Sequence, residues 1–343
     1  MTRIAEPVRT GRAARLPVPR GPLSQWAIRA LETGAPDPRP QMAGHIRDEG
    51  ATDVWGEDAQ LALFVCQEMH YRGWGGVDPA LEWHPAIIAA RVALEDALLT
   101  AVEREVEPIT DGATASGALA ALARDSVYAG GAVERLGAAA DAARFRDYFA
   151  ARSIYHLKEA DPHAWAIPRL GPMCKAPFVA VAFDEYGAGH GRNVHQYLYA
   201  DLLDAMGMAS GYLEHLDRVP AAAIAPVTLM SALGLRRARL GAAIGHFAAT
   251  EVASPPGSAR MVAALERIGA PDAAVRFYRE HVEADAVHEL VMRHDVVGGL
   301  VTDDPGAERD VLWGIAAWRL VEDRLDDALL AAWRSGKTLV RDP

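Results

Sequence analysis

The sequence predicts an all-α protein. Alanine and leucine, which favour helices, are abundant along the 343 residues. Runs in which β-branched and polar residues alternate, as they do in half-buried strands, are rare. Proline and glycine divide the chain into segments of helical length. These observations together favour a helical bundle over a mixed α/β architecture.

The amino-acid composition of the chain changes near residue 52. Residues 1–52 are rich in Arg, Pro and Gly, which predicts a flexible arm with one short helix over residues 23–33. Apolar spacing then predicts a strong helix over 57–74 and a second over 85–106. Two shorter helices are expected over 114–125 and 129–139.

The second part predicts a longer series of helices. One spans residues 140–160, and another opens at Pro177, a favoured position in a first helical turn, and resumes after a glycine segment. A helix over 236–253 should end before Pro255. The spacing of Gly241 and Gly245 within it predicts close contact between two helices. The remaining predicted helices cover 193–206, 259–268, 273–294 and 308–335.

We interpret the chain as a single domain with an N-terminal helical extension. The predicted parts are an arm over 1–52, an extension over 53–139 packed on the core, and a core over 140–343.

Composition excludes several classes of function. The net charge of −11 argues against a nucleic-acid partner. No apolar run approaches the ~20 residues that a membrane span needs, so no membrane partner is expected. The two cysteines, Cys66 and Cys174, argue against a disulfide framework and fit a reducing compartment, so we expect a cytoplasmic protein.

Three residues of the helix predicted over 273–294 suggest a metal site. His281, Asp285 and His288 stand at i, i+4 and i+7, so they fall within roughly 60° of arc on one helix face. Two imidazoles and a carboxylate are the ligands of many non-haem iron sites. The alternative is a solvated polar face with chance histidines, although other charged residues of the segment already supply such a face.

Glu185 and His195 flank a segment that contains Gly187, Gly189 and Gly191. In a regular helix ten residues would separate the two side chains by ~15 Å along the axis. They can share a site only if the helix is broken, and the glycines make such a break cheap. The alternative is that these glycines only permit close helix packing.

Glu159 and Glu251 are each predicted near the C-terminal end of a helix. A carboxylate there faces the negative end of the helix dipole, and a nearby cation would make the placement favourable. The alternative is that both are exposed. Four carboxylates and three imidazoles exceed the two His and one carboxylate of a mononuclear iron site and fit two irons.

These motifs resemble the haem-oxygenase-like diiron oxidases and oxygenases. The resemblance covers about residues 140–294 and is carried by Glu159 before Asp161-Pro162, Asp184-Glu185-Tyr186-Gly187 with His195, Gly245-His246 with Glu251, and the His281/Asp285/His288 triplet. It implies a haem-oxygenase-like helical bundle, two iron ions as cofactors, O2 as cosubstrate and an external reductant. The iron ligands that it implies are Glu159, Glu185, His195, Glu251, His281, Asp285 and His288.

Members of this family that add oxygen to nitrogen carry one carboxylate beyond the usual six ligands, and this chain has a candidate for it. Glu159 is furthest from the triplet in sequence, so we take it as the candidate for the additional ligand. The sequence leaves open which carboxylate bridges the irons.

The resemblance favours N-oxygenation of a small amine, guanidine or amino-acid-derived metabolite in natural-product biosynthesis. The product would be a hydroxylamine, nitroso or nitro compound. The expected partners are the amine substrate and an electron donor, and a second copy in a homodimer is a further candidate. One alternative is a diiron oxidase that acts on carbon, by desaturation or C–C cleavage of an amino or fatty acid. Another is a non-catalytic iron- or haem-binding protein.

Overall fold

The computed structural model describes residues 13–34, 52–107, 110, 112–127, 130–139 and 141–341. Within these residues the chain is helical and contains no β-strand, only an isolated bridge between Ala14 and Trp74. The all-α prediction is therefore confirmed. Much of the predicted arm, residues 1–12 and 35–51, lies outside the described residues.

The α-helices agree with most of the predicted segments. In chain order they are α1 (Pro22–Thr33), α2 (Glu57–Glu68), α3 (Pro85–Glu105), α4 (Ala115–Val127), α5 (Ala132–Ala139), α6 (Ala142–His156), α7 (Asp161–Ala164), α8 (Pro172–Glu185), α9 (His195–Ala205), α10 (Ala221–Leu235), α11 (Leu240–Arg267), α12 (Asp272–Leu290), α13 (Gly298–Asp303) and α14 (Ala307–Arg334). A π-helical segment, Val291–Val297, joins α12 to α13. Short 3₁₀ turns lie at Pro79–Trp83, Ile167–Arg169, Gly187–Gly189, Gly191–Asn193 and Arg237–Arg239.

Helix α10 was not predicted from the sequence. Almost all of its residues are buried, so it lacks the alternation of polar and apolar faces that marks a surface helix. It lies at the centre of the bundle and packs against α2, α6 and α14. Its interior Pro226 further weakens the sequence signal, because proline removes one helical hydrogen bond.

The predicted end of a helix before Pro255 is wrong. Helix α11 continues through Pro255 and Pro256 to Arg267, so Glu251 lies in its interior. Packing against α12 and α14 outweighs the cost of the two prolines, about 3 kcal/mol each. The dipole argument for Glu251 therefore does not apply. The helix predicted to open at Pro177 in fact begins at Pro172.

The close helix contact predicted from Gly241 and Gly245 is confirmed between α11 and α14. A Cβ atom on Gly245 would lie 2.1 Å from the carbonyl oxygen of Val311, and one on Gly314 would lie 2.1 Å from that of Ala242. Backbones that approach this closely leave room only for glycine. This contact fixes α11, which carries Glu251, against the C-terminal helix.

A buried polar cluster connects α2 with the turn that follows α6. Nζ of Lys158 lies 2.5 Å from Oε2 of Glu68, and both side chains are almost fully buried. Tyr212 donates a hydrogen bond to the second oxygen of Glu68 and accepts one from Lys158. Burial lowers the pKa of Lys158, although Glu68 opposes the shift. The cluster thus fixes the backbone next to Glu159 against the N-terminal part of the bundle.

None of the helices that the structure describes combines the length and apolarity needed to cross a membrane.

Candidate metal centre

The chain turns sharply between Glu185 and His195, which is one of the two alternatives that the glycines left open. Helix α8 ends at Glu185, two 3₁₀ turns follow, and α9 begins at His195. Gly187 has a φ angle of 73°, and a Cβ atom there would lie 2.6 Å from the backbone nitrogen of Val194. Glycine is therefore required at this position. The break brings Oε2 of Glu185 to 2.9 Å from Nδ1 of His195.

Glu159, His195 and His281 form a first cluster, here called group A. One potential ligand atom from each lies within 4.8 Å of the others. Nε2 of His281 is 3.7 Å from Oε2 of Glu159. Nδ1 of His281 lies 2.8 Å from the carbonyl oxygen of Phe277. Because a carbonyl only accepts, Nδ1 donates this hydrogen bond and Nε2 carries a lone pair directed into group A.

Glu185, Glu251 and His288 form a second cluster, here called group B. Their ligand atoms also lie within 4.8 Å of one another. Nδ1 of His288 lies 3.1 Å from Oε2 of Glu251 and 3.8 Å from Oε1 of Glu185. Helices α8, α11 and α12 each supply one of these residues, so the contacts between the helices determine the geometry of group B.

Glu185 lies between the two groups. Its Oε2 faces His195 of group A, and its Oε1 faces His288 of group B. A carboxylate whose two oxygens point to different ligand sets has the arrangement of a bridging ligand. Among the ligand residues, Glu159 contacts His281 of group A, whereas Glu185 contacts a histidine of each group, so the geometry favours Glu185 as the carboxylate that would join the two sites.

The prediction for Asp285 and the choice of His195 over His190 have different outcomes. The backbone of Asp285 belongs to α12 between His281 and His288, but its side chain lies outside the described residues, so its role as a ligand stays a prediction. His190, the alternative to His195, is exposed, whereas His195 is only 2 % exposed. The preference for His195 agrees with this burial.

The charges within group A are coupled. Nδ1 of His156 lies 3.1 Å from Oε1 of Glu159. Burial alone would raise the pKa of Glu159, but the adjacent His156 outweighs it and holds the pKa well below its usual range. Burial also lowers the pKa of His195, and the Glu185 carboxylate outweighs this and raises it. Glu159 is therefore an anion, as a metal ligand must be.

The residues present fit a bound cation. The six side chains of the two groups are between 2 and 8 % exposed. Oε2 of Glu159 is buried and makes no hydrogen bond with a protein atom, which costs roughly 1–3 kcal/mol. Nδ1 of His195 is buried against the Glu185 carboxylate. A divalent cation between these lone pairs would remove that cost. Mixed imidazole and carboxylate donors suit iron.

A cavity of about 210 Å³ opens beside group A. Glu159 and His281 line one part of it, and Arg152 and Glu322 line another. Nη2 of Arg152 lies 2.5 Å from Oε2 of Glu322. Sequence reasoning missed this pair because its members are 170 residues apart. The other lining residues are mainly apolar or aromatic and include Tyr148, Tyr155, Phe277, Tyr278 and Trp318.

Comparison with known families gives one match. The model of a family described as iron-containing redox enzymes matches residues 146–322, which is more than half of the chain. The matched region contains all seven predicted ligands and the Arg152–Glu322 pair that lines the cavity. No curated protein matches the chain.

Proposed function

Because the chain belongs to the family of iron-containing redox enzymes, we propose that it is a non-haem diiron oxygenase that N-oxygenates a small amine. The substrate would be an amine, a guanidine or an amino-acid-derived metabolite. The observation that carries the diiron part of this proposal is the position of Glu185, because one carboxylate there would join two three-residue ligand sets into a dinuclear centre. The product would be a hydroxylamine, nitroso or nitro compound.

Group A would hold one iron and group B the other, with Glu185 shared and Asp285 as a further ligand. The bound irons would supply the electrons that reduce O2. Hydroxylation of an amine consumes one O2, two electrons and two protons and yields a hydroxylamine and water, so an external reductant is required. The chain provides the buried ligand set, fixes the ring of His281 through the Phe277 carbonyl, and limits the access of water.

The cavity beside group A supports a polar substrate. Glu159 lines one part of this cavity, and the Arg152–Glu322 pair lines another. A substrate that fills the cavity would place its reacting nitrogen beside Glu159 and a charged group beside Arg152 and Glu322. The hydrocarbon tail of a fatty acid would have to desolvate this ion pair without compensation. The cavity therefore favours a small polar metabolite.

Anaerobic titration of the metal-free protein with Fe(II) tests the dinuclear centre. We expect saturation at about two equivalents per chain, because each ligand group has the donor set for one iron. Mössbauer spectroscopy of the loaded protein should show two high-spin Fe(II) sites. Saturation at one equivalent with a mononuclear spectrum would contradict the proposal.

Mass spectrometry with ¹⁸O2 tests the reaction. The loaded protein and a chemical reductant would be mixed with a panel of amines, guanidines, amino acids and fatty acids. We expect ¹⁸O on nitrogen in at least one polar member of the panel. Desaturation or C–C cleavage without labelled nitrogen would instead identify the carbon oxidase, and turnover of the fatty acids alone would contradict the assigned polarity of the cavity.

The Arg152→Gln substitution tests the role of the cavity. Loss of a charged partner at the remote end of the substrate should raise KM about 10–100-fold and change kcat less, because the reacting nitrogen is bound elsewhere. The matched control is Arg146→Gln, which changes an exposed arginine of the same helix. A KM equal to that of the control would remove Arg152 from the binding site.

A further inference from the structure

Asp184 contacts a buried histidine of group B from outside that group. It immediately precedes Glu185 at the end of α8, and its side chain is half-exposed. Its Oδ2 lies 3.1 Å from Nε2 of His288, whose side chain is 2 % exposed. The other ring nitrogen, Nδ1, faces Glu251 and Glu185. The two nitrogens of His288 therefore face carboxylates on opposite sides.

This arrangement determines which nitrogen of His288 can bind a cation. A neutral imidazole has one nitrogen that donates a hydrogen bond and one that carries a lone pair. The carboxylate of Asp184 accepts a hydrogen bond from Nε2 when that nitrogen carries the proton, so the contact favours the tautomer protonated at Nε2. Nδ1 is then left with its lone pair on the side of Glu185 and Glu251, which is where group B would hold its iron.

Without Asp184 the ring would have a competing arrangement. A proton on Nδ1 could be donated to Glu251 at 3.1 Å, and that proton would occupy the position of the metal–nitrogen bond. The hydrogen bond at Nε2 disfavours this tautomer. Hydrogen bonds of this kind, from a ligating histidine to a carboxylate outside the metal site, commonly fix the ring and raise its affinity for metal.

On helix α12 the tautomer of the other histidine, His281, is fixed by a backbone contact. His281 donates from Nδ1 to the carbonyl of Phe277 and presents Nε2 to group A. His288 presents the opposite nitrogen to group B. The Asp184 carboxylate opposes the wrong tautomer at Nε2 of His288, and the backbone carbonyl of Phe277 has the corresponding function for His281.

We propose that Asp184 is a positioning residue that holds His288 in the tautomer whose Nδ1 binds the group B iron. The inference rests on the proposed diiron centre and adds to it a residue that does not itself bind metal. It predicts that Asp184 affects one of the two metal sites and leaves the other unchanged.

Metal affinity in the absence of substrate tests this role. Fe(II) binding to the metal-free protein would be measured anaerobically against a competing chelator. Asp184→Ala should weaken one of the two sites about 10–100-fold and leave the other at parent affinity. Asp184→Asn keeps an oxygen that accepts the hydrogen bond from Nε2 and should recover most of the lost affinity. Glu280→Ala, which removes an exposed carboxylate from α12, should bind like the parent.

A spectroscopic measurement separates positioning from a general loss of structure. In the protein loaded with diamagnetic Zn(II), ¹H–¹⁵N correlation spectra report which nitrogen of His288 carries the proton, with His288→Gln used for assignment. We expect protonated Nε2 in the parent and in Asp184→Asn, and its loss or exchange broadening in Asp184→Ala. If Asp184→Ala binds Fe(II) at both sites with parent affinity, or if its Nε2–H signal from His288 is unchanged, the role of Asp184 is overturned and the diiron proposal is not. A parent protein that binds no Fe(II) would overturn the diiron proposal as well.

Discussion

Glu185→Ala is expected to remove most of the iron from both sites and to abolish substrate oxidation. Glu185 is the described residue that faces both ligand groups, with His195 at 2.9 Å on one side and His288 at 3.8 Å on the other. In the proposed centre its loss would take a ligand from each iron and leave two imidazoles without their shared carboxylate. Iron content should fall below about one per chain, because metal affinity depends on the complete set of deprotonated ligands.

The comparison with single-group variants makes this result specific. Glu159→Ala should weaken only the group A iron, and Glu251→Ala only the group B iron, so each should retain about one iron per chain. Iron would be quantified by elemental analysis after anaerobic loading and desalting. If Glu185→Ala retained as much iron as Glu159→Ala, Glu185 would belong to one group only. If Glu159→Ala retained less iron than Glu185→Ala, both sites would depend on Glu159 rather than on Glu185.

Sequence spacing predicted those features of the metal centre that involve residues close together along the chain. His281 and His288 share one face of α12 because seven residues nearly complete two turns, and the structure shows both buried. The break between Glu185 and His195 followed from glycine chemistry, since Gly187 occupies a left-handed conformation that other residues rarely adopt.

The features that sequence reasoning missed depend on packing between distant segments. The position of Glu185 between the groups results from how α8 meets α11 and α12, and no spacing in the sequence encodes that contact. Arg152 and Glu322 meet across 170 residues. Helix α10 was missed because a helix buried on all sides has no polar face to mark its period. Helix α11 continues past Pro255 because tertiary packing overrides the local preference.

Lys158→Met is expected to cause a large loss of stability at a position outside the metal ligands. The substitution leaves the carboxylate of Glu68, whose side chain is fully buried, without its cation at 2.5 Å. Removing one partner of a buried ion pair costs about 3–5 kcal/mol, because the remaining charge is desolvated and uncompensated. At about 2.1 cal/mol/K per residue, this corresponds to a melting temperature roughly 4–7 °C lower.

Urea unfolding of the metal-free protein would measure this loss without any contribution from bound iron. The double variant Glu68→Gln/Lys158→Met removes both charges and should recover a large part of the stability, because the destabilising species is the lone buried carboxylate. The control Arg279→Met breaks a surface pair on α12 in which the arginine is 46 % exposed, and it should change stability by less than about 1 kcal/mol.

If Lys158→Met is no less stable than this control, Glu68 has another source of compensation, and the cluster does not fix the turn that carries Glu159. If the double variant recovers stability but still binds the group A iron weakly, Lys158 also positions Glu159, because the two residues are adjacent in that turn.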